Sequence, residues 1–180
     1  MLLDVEKSCL VVIDIQDKLN PVMFDPARAV DGATKLMKSA EIASVPALVS
    51  EQYAKGLGPT VDALQSLMPA GYPIDKMSFS CVENDTFVER FLETGRQQAV
   101  VCGIEAHVCV MQTVVELLEK GVEVFVVSDA TASRTEENHR IAMERIRDEG
   151  GWVVSVEMVL FEWLRYAGTP AFKQISQLVK

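Results

Sequence analysis

Three side chains capable of acid–base or nucleophilic chemistry lie far apart in the sequence. Asp14 interrupts an apolar run (VVIDIQ), Lys76 lies in PIDKM, and Cys109 lies near the start of a predicted helix (HVCVMQT). A carboxylate in an apolar run is costly to bury unless it is paired, and Lys76 would be a suitable counter-charge. A helix N-terminus favours a thiolate and offers amides that can hold an oxyanion. These residue types would suit attack by a cysteine on a carbonyl group.

Each of the three residues also has a purely structural interpretation. Asp14 could accept hydrogen bonds from loop amides, and Lys76 could reach into solvent. Cys109 could pack on the apolar side of its helix, as we expect Cys102 to pack within its predicted strand. The residues by themselves leave these alternatives open.

The two histidines are not predicted to be catalytic. His107 lies two residues before Cys109, and side chains at that spacing do not share a helix face, so we interpret it as a polar residue at the helix start. His139 lies among charged residues (TEENHR) and is predicted to lie on a solvated face. Two unclustered histidines without a CxxC pair predict no metal site, and we expect no cofactor.

Short continuous apolar runs predict buried parallel strands, and amphipathic segments between them predict helices. The predicted strands are 8–15, 46–50, 73–77, 98–103, 122–128 and 152–155. The predicted helices are 30–43, 85–94, 107–120, 134–149, with Ser133 and Glu136 as a capping box, and 170–179.

This alternation predicts an α/β fold, a Rossmann-like three-layer α/β/α sandwich around a mostly parallel six-stranded sheet, in a single domain of residues 1–180. Ligands of such sheets bind beyond the carboxyl ends of the strands. Asp14, Lys76 and the turn 103–109 would meet there.

Composition limits the partners. The chain has 180 residues and a formal charge of −9, which argues against a nucleic-acid or membrane partner but does not identify a partner by itself. The start of the chain (MLLDVEKS) does not resemble a signal peptide, and no apolar stretch has the length of a membrane helix. Four cysteines without a CxxC pair suggest a reducing, cytoplasmic location.

Four segments in order resemble the isochorismatase-like hydrolases, a superfamily that includes nicotinamidases and N-carbamoylsarcosine amidases. The segments are VVIDIQD, KMSFS, GIEAHVCVMQT and VVSDATASR. The resemblance implies a parallel sheet sandwiched by helices and a homo-oligomer. It also implies that Asp14, Lys76 and Cys109 are the catalytic residues, with the cysteine as the nucleophile.

The resemblance further implies a particular backbone before the nucleophile. A non-proline cis peptide bond is expected between Ile104 and Glu105, and the backbone amides of Val108 and Cys109 are expected to form an oxyanion hole. The residues expected to bind substrate at the same edge are Gln16, Glu51, Gln52 and Phe79.

Two departures from the family narrow the predicted activity. Metal-dependent nicotinamidases have an Asp-x-His motif after the second strand, but this chain has SEQYAKG there. True isochorismatases lack the cysteine nucleophile, so Cys109 points away from vinyl-ether hydrolysis. We therefore expect a cysteine hydrolase that acts on a small amide, carbamate or related acyl substrate.

Two other classes of protein are alternatives. The fold could be an oligomeric binding or scaffold module with vestigial chemistry, in which case Cys109 would react with iodoacetamide no faster than Cys81. A phospho-acceptor receiver domain also has an Asp after its first strand. It needs a further acidic cluster and an Asp at the end of the third strand, where Asp75 and Lys76 are a poor match.

Overall fold

A sheet of six parallel strands forms the centre of the computed structural model, which describes residues 1–179. The strands are β1 Ser8–Ile13, β2 Ala47–Gln52, β3 Ile74–Lys76, β4 Gln98–Ile104, β5 Glu123–Ala132 and β6 Trp152–Val154. Their order is β3-β2-β1-β4-β5-β6, and every pairing is parallel. The predicted sheet is confirmed. The strand order reverses between β1 and β4, which is where such sheets bind ligands.

Helices cover both faces of this sheet. They are α1 Pro26–Ala43, α2 Ala54–Leu57, α3 Asp62–Gln65, α4 Asp85–Glu93, α5 Met111–Glu119, α6 Glu136–Asp148, α7 Val156–Leu164 and α8 Pro170–Ile175. Within residues 1–179, none of them combines the length and the apolar character needed to cross a bilayer.

Alternate residues of β1 face two separate apolar clusters, as the pleat of a strand requires. Leu10 and Val12 pack in a cluster with α1, α7 and α8, whereas Val11 and Ile13 pack in a cluster with α4, α5 and α6. The predicted three-layer sandwich is thereby confirmed.

Side-chain caps place two helix starts differently from the prediction. Helix α1 begins at Pro26, ahead of the predicted start at residue 30, because Asp25 caps it and proline is favourable in a first turn. Helix α6 begins at Glu136, and Thr135 provides its capping side chain. The predicted capping box that begins at Ser133 is therefore wrong.

Helix α7 was missed in the sequence. Its residues, VEMVLFEWL, are apolar over most of their length and give little of the polar face that marks an amphipathic helix. Ser155 caps the helix, and Val159 and Trp163 pack it into the cluster that contains α1. The segment after β2 contains the short helices α2 and α3.

The carboxyl end of β1 turns earlier than predicted. The strand ends at Ile13, and Asp14 has a φ of 53°, a left-handed conformation that Asp tolerates better than most residues. In the neighbouring strand, Gly103 has a φ of 122°, and a Cβ at that position would lie 2.1 Å from the Ile13 carbonyl oxygen. Only glycine permits this close approach of β4 to β1. The approach brings the turn after β4 to the end of β1 that carries Asp14.

Candidate active site

Asp14 and Lys76 form an ion pair at the carboxyl edge of the sheet. Lys76 Nζ lies 2.7 Å from Asp14 Oδ2, and both side chains have 0% exposure. Because β2 lies between β1 and β3, the lysine side chain crosses the end of β2 to reach the carboxylate. Nζ also donates to Gln52 Oε1 at 2.9 Å and to the carbonyl oxygens of Phe79 and Ser78 at 3.0 and 3.2 Å. Acceptors from the protein therefore surround the ammonium group, whose three N–H donors are all used.

Ser50 holds the other oxygen of the Asp14 carboxylate. Ser50 Oγ donates to Asp14 Oδ1 at 2.8 Å, and the Asp14 amide donates to the Ser50 carbonyl oxygen at 3.1 Å. Burial raises the pKa of Asp14, although Lys76 and Ser50 act in the opposite direction. Burial acts to lower the pKa of Lys76, but the Asp14 carboxylate together with Cys81 and Cys109 outweighs burial, and the pKa is raised. A carboxyl with a raised pKa is better suited to accept a proton and return it.

Cys109 lies on a π-helical turn, Ala106–Val110, between β4 and α5. Single turns of this kind are frequent at functional sites. The residue is 4% exposed, and burial, followed by the Asp14 carboxylate, raises the pKa of its thiol, while Lys76 lowers it. Burial therefore opposes the thiolate form that a helix N-terminus favours, because the loss of hydration outweighs the favourable charge of Lys76.

The fold brings Asp14, Lys76 and Cys109 together. Each of these three groups shifts the pKa of the other two, so they share one electrostatic environment although they come from three different elements. Lys76 is buried against Asp14 and does not extend into solvent. Of the structural interpretations left open by the sequence, the solvent-exposed lysine is therefore excluded.

The backbone between β4 and Cys109 contains a tight turn. The peptide bond between Ile104 and Glu105 is cis. The Val108 amide donates to the Glu105 carbonyl oxygen at 3.1 Å, and the Val110 amide donates to the same oxygen at 3.2 Å. The Val108 N–H is therefore already paired, and it would have to leave this partner to bind an oxyanion.

Three polar residues that were expected to bind substrate are directed at protein groups. Gln16 forms hydrogen bonds to the backbone of Gln52 and of the following loop. The Glu51 carboxylate accepts from the amide and the hydroxyl of Thr60 at 2.6 and 2.7 Å. Gln52 accepts from Lys76. All three residues are buried, and these contacts hold the loop and the lysine in place.

Phe79 differs from these three residues. Its carbonyl oxygen accepts from Lys76, but its ring is on the surface and the residue is 55% exposed. The neighbouring Met77 is also exposed. The segment after β3 thus presents apolar side chains to solvent, while its backbone carbonyls bind the buried ammonium group.

The histidines have structural partners. His107 Nδ1 lies 3.0 Å from Ser133 Oγ, which agrees with its interpretation as a polar residue at the start of the turn. His139 is half-buried, with Nε2 3.0 Å from Thr131 Oγ1 and 3.2 Å from the Ser128 carbonyl oxygen. The predicted solvated position of His139 is wrong because this face of α6 packs on the end of β5. In the part of the chain that the structure describes, no three His, Cys, Asp or Glu side chains converge to hold a metal ion.

Two hydroxyl groups that the sequence did not single out connect the loop after β3 to α5. Thr113 Oγ1 accepts from the Cys81 amide at 3.0 Å and donates to the Cys109 carbonyl oxygen at 2.7 Å. Ser80 Oγ donates to Glu116 Oε2 at 2.6 Å. These bonds join the segment whose carbonyls bind Lys76 to the turn that carries Cys109. Single Ser and Thr residues give no sequence signal for such pairing.

The parallel α/β sandwich is a fold of the hydrolase type. The chain belongs to the isochorismatase family, because the family model described as the isochorismatase domain matches residues 8–158. The secreted isochorismatase effector Isc1 of Phytophthora sojae is 40% identical, over 96% of this chain and 84% of that protein.

Solved structures show the same architecture. The MAR1 ribonuclease of Caenorhabditis elegans is 33% identical with a TM-score of 0.92, over 99% of this chain and 92% of that chain. The YcaC gene product of Escherichia coli is described as an octameric hydrolase of unknown specificity. It is 22% identical with a TM-score of 0.92, over 99% and 90% of the two chains, and its likeness concerns the fold alone.

Proposed function

We propose that this protein is a cysteine hydrolase that cleaves a small amide, carbamate or related acyl substrate. The observation that carries the proposal is the buried pair of Asp14 and Lys76 in the same electrostatic environment as the Cys109 thiol. Burial of an ion pair removes two charges from water, which is costly. The pair by itself therefore contributes little to the stability of the fold. Such a pair beside a thiol has a clear chemical use, because it supplies a base and a fixed positive charge.

In this mechanism Asp14 acts first as a base and then as an acid. As Sγ attacks the carbonyl carbon, the thiol proton passes to Asp14 and the carbonyl π electrons move to oxygen. When the intermediate collapses, the C–N bond breaks and protonated Asp14 gives its proton to the leaving amine. Water then attacks the thioester, Asp14 takes one of its protons, and that proton returns to Sγ as the C–S bond breaks.

Lys76 and the backbone of the π-helical turn stabilise charge during these steps. Lys76 remains protonated and compensates the negative charge that moves between the carboxylate, the sulfur and the substrate oxygen. The backbone amide of Cys109 is the first oxyanion donor in this proposal, and the Val108 amide becomes the second if it leaves Glu105. Loss of one oxyanion donor typically costs about 10²–10³-fold in kcat.

The burial of the site favours a small substrate. Asp14, Lys76 and Cys109 have exposures of 0%, 2% and 4%, so only a compact acyl group reaches the sulfur. Phe79 at the surface provides an apolar contact for the remainder of the substrate. The Caenorhabditis elegans relative is named a ribonuclease, but the charge of −9 on this chain repels a polyanion and disfavours an RNA substrate.

We also propose that the protein is a homo-oligomer in a reducing cytoplasm. The Escherichia coli relative is described as octameric, and this chain exposes large apolar side chains, among them Phe24 and Tyr166, that an interface would cover. Its cysteines, Cys9, Cys81, Cys102 and Cys109, are all free thiols, as expected in a reducing compartment.

A screen of small amides and carbamates, read by intact-protein mass and by product release, tests the proposed reaction. We expect Cys109→Ala to abolish both the acyl adduct and turnover while the fold remains intact by circular dichroism. The control is Cys102→Ala, because Cys102 packs in the opposite apolar cluster, and it should retain both signals. Full turnover in Cys109→Ala would refute the nucleophile. Iodoacetamide reactivity at Cys109 no greater than at Cys81 would support a scaffold with vestigial chemistry.

A second candidate function is vinyl-ether hydrolysis, because the Phytophthora sojae relative is named an isochorismatase. Burial raises the pKa of Asp14, and a protonated carboxyl could donate to the vinyl carbon without help from a thiol. The two candidates differ in their need for Cys109. Isochorismate turnover that survives Cys109→Ala and is lost in Asp14→Asn would favour the second candidate.

A further inference from the structure

We infer that Ser50 is a positioning residue that fixes the orientation of the Asp14 carboxylate and keeps it available as a base. This inference rests on the proposed function, because it assigns the hydroxyl a task within the same reaction. Ser50 belongs to β2, whereas Asp14 follows β1, so neither the motif around Asp14 nor its spacing includes it.

Ser50 contacts Asp14 at both its backbone and its side chain. The Ser50 carbonyl oxygen accepts from the Asp14 amide at 3.1 Å, and Ser50 Oγ donates to Asp14 Oδ1 at 2.8 Å. The first contact holds the residue in its left-handed conformation at the end of β1. The second contact, together with Lys76 at Oδ2, places one donor on each carboxylate oxygen. Two donors on different oxygens fix the plane of a carboxylate, which a single donor leaves free to rotate.

The direction of the Ser50 hydroxyl is determined by its neighbours. An ionised carboxylate only accepts hydrogen bonds, so the single hydroxyl proton of Ser50 must point at Asp14. The oxygen then accepts from Cys81 Sγ, which lies 3.5 Å away. The chain of hydrogen bonds runs from Cys81 to Ser50 to Asp14, and all three residues are buried. No water is needed to complete it.

Removal of the hydroxyl has a defined consequence for Asp14. The carboxylate would lose a donor that favours its charged form, so the carboxyl should bind its proton more tightly. The carboxylate would also be free to rotate about its hydrogen bond to Lys76, and this rotation would turn it away from the Cys109 thiol. A purely structural serine would affect stability but would leave the proton affinity of Asp14 unchanged.

The test combines two measurements on Ser50→Ala. A ¹³C NMR titration follows the Asp14 carboxyl, and we expect its midpoint to move to higher pH by about one unit, the size of a lost charge-assisted hydrogen bond. The pH profile of p-nitrophenyl acetate hydrolysis should show its acidic limb displaced in the same direction. We expect kcat about tenfold lower, with KM within about twofold, since the proton transfer is impaired and binding is not.

Two further variants complete the comparison. Ser50→Thr keeps the hydroxyl and should restore the Asp14 midpoint and the acidic limb. Ser39→Ala removes a buried hydroxyl of α1 that has no hydrogen-bond partner, and it should change neither measurement. If Ser50→Ala does not fold, Ser50→Cys replaces it, because a thiol is a weaker donor and should move the midpoint in the same direction.

The outcomes separate this inference from the proposed function. A midpoint of Asp14 that does not move in Ser50→Ala overturns the inference, even if kcat falls. A wild-type protein without Cys109-dependent hydrolysis of p-nitrophenyl acetate overturns the proposed function on this probe. In that case a displaced midpoint would still support the control of the Asp14 carboxyl by Ser50.

Discussion

Lys76 Nζ lies 2.7 Å from Asp14 Oδ2, although Asp14 follows β1 and Lys76 ends β3, and these two strands are not neighbours in the sheet. The lysine side chain passes over the end of β2, and Gln52 of that strand accepts from it on the way. Neither charged group has contact with solvent. Each charge is therefore tolerated only because the other is present, and the sheet order that separates β1 from β3 by one strand makes the contact possible.

Replacement of one member of this ion pair should be costly, and replacement of both members should cost less than the two single replacements added together. We expect Asp14→Asn or Lys76→Met alone to lower the free energy of unfolding by about 3–5 kcal/mol, because each leaves an uncompensated buried group. The double variant should lose less than the sum of the two. Urea denaturation of the three variants measures this difference.

The exposed pair of Lys35 and Asp31 is the control for that cycle. Their side chains are 32% and 66% exposed, and Lys35→Ala should cost at most about 1 kcal/mol. Additive losses in the buried double variant would show that the two side chains are not coupled.

Substitution of Gln52 should affect kcat, whereas substitution of its neighbour Glu51 should affect stability. Gln52→Ala removes an acceptor from Lys76, so we expect kcat for the acyl substrate to fall by about tenfold with little change in KM. Glu51→Gln weakens the contact with Thr60 and should lower the free energy of unfolding by about 1–3 kcal/mol without a comparable loss of kcat. Steady-state kinetics and urea denaturation of both variants check this. A raised KM with normal kcat in Gln52→Ala would instead indicate direct substrate binding.

Gly103 should be less tolerant of a methyl group than Gly95. Both have a positive φ, so both substitutions strain the backbone. Only at Gly103 would the new Cβ meet backbone atoms, with the Ile13 carbonyl oxygen at 2.1 Å, whereas nothing lies within 4 Å of the corresponding position at Gly95. We expect Gly103→Ala to be less stable than Gly95→Ala by about 1–3 kcal/mol or more, the usual cost of overpacking. Thermal unfolding of the two variants gives the comparison, and equal losses would mean that conformational strain alone matters.

His139 should make stability depend on pH in weakly acidic solution. Burial, with a further contribution from Arg28, lowers the pKa of His139 from its ordinary value of 6.5. The native state therefore binds this proton less tightly than the unfolded chain does. The contribution of His139 to stability is fully present above pH 6.5 and is lost as the pH falls through the lowered pKa.

Replacement of the imidazole by an amide that does not titrate isolates this effect. Between about pH 7.5 and about pH 5, the free energy of unfolding of His139→Gln should decrease less than that of the wild-type protein. Urea denaturation at both values provides the measurement. Parallel decreases in the two proteins would show that His139 keeps its ordinary affinity for protons in the native state.

The pattern of apolar and polar residues along the sequence was sufficient to predict most of the strands and helices. The apolar runs around Leu10 and Val100 and the amphipathic segments between the strands depend on neighbouring residues only, so strand and helix order could be obtained without coordinates. Helix α7 was missed because its apolar residues leave little polar face, and its position is decided by packing against α1.

The residue types and their places after strand ends were enough to name Asp14, Lys76 and Cys109 as candidates, and the family resemblance was needed to combine them into one site. The sequence could not determine the direction in which the pKa of Cys109 is shifted, because desolvation depends on everything packed around the thiol. Nor could it assign Gln16, Glu51 and Gln52 to structural contacts. Ser50 and Asp14 are 36 residues apart, and Lys76 and Asp14 are 62 apart. Contacts over such separations exist only after the strands have paired, and therefore the tertiary structure alone decided which groups hold the carboxylate.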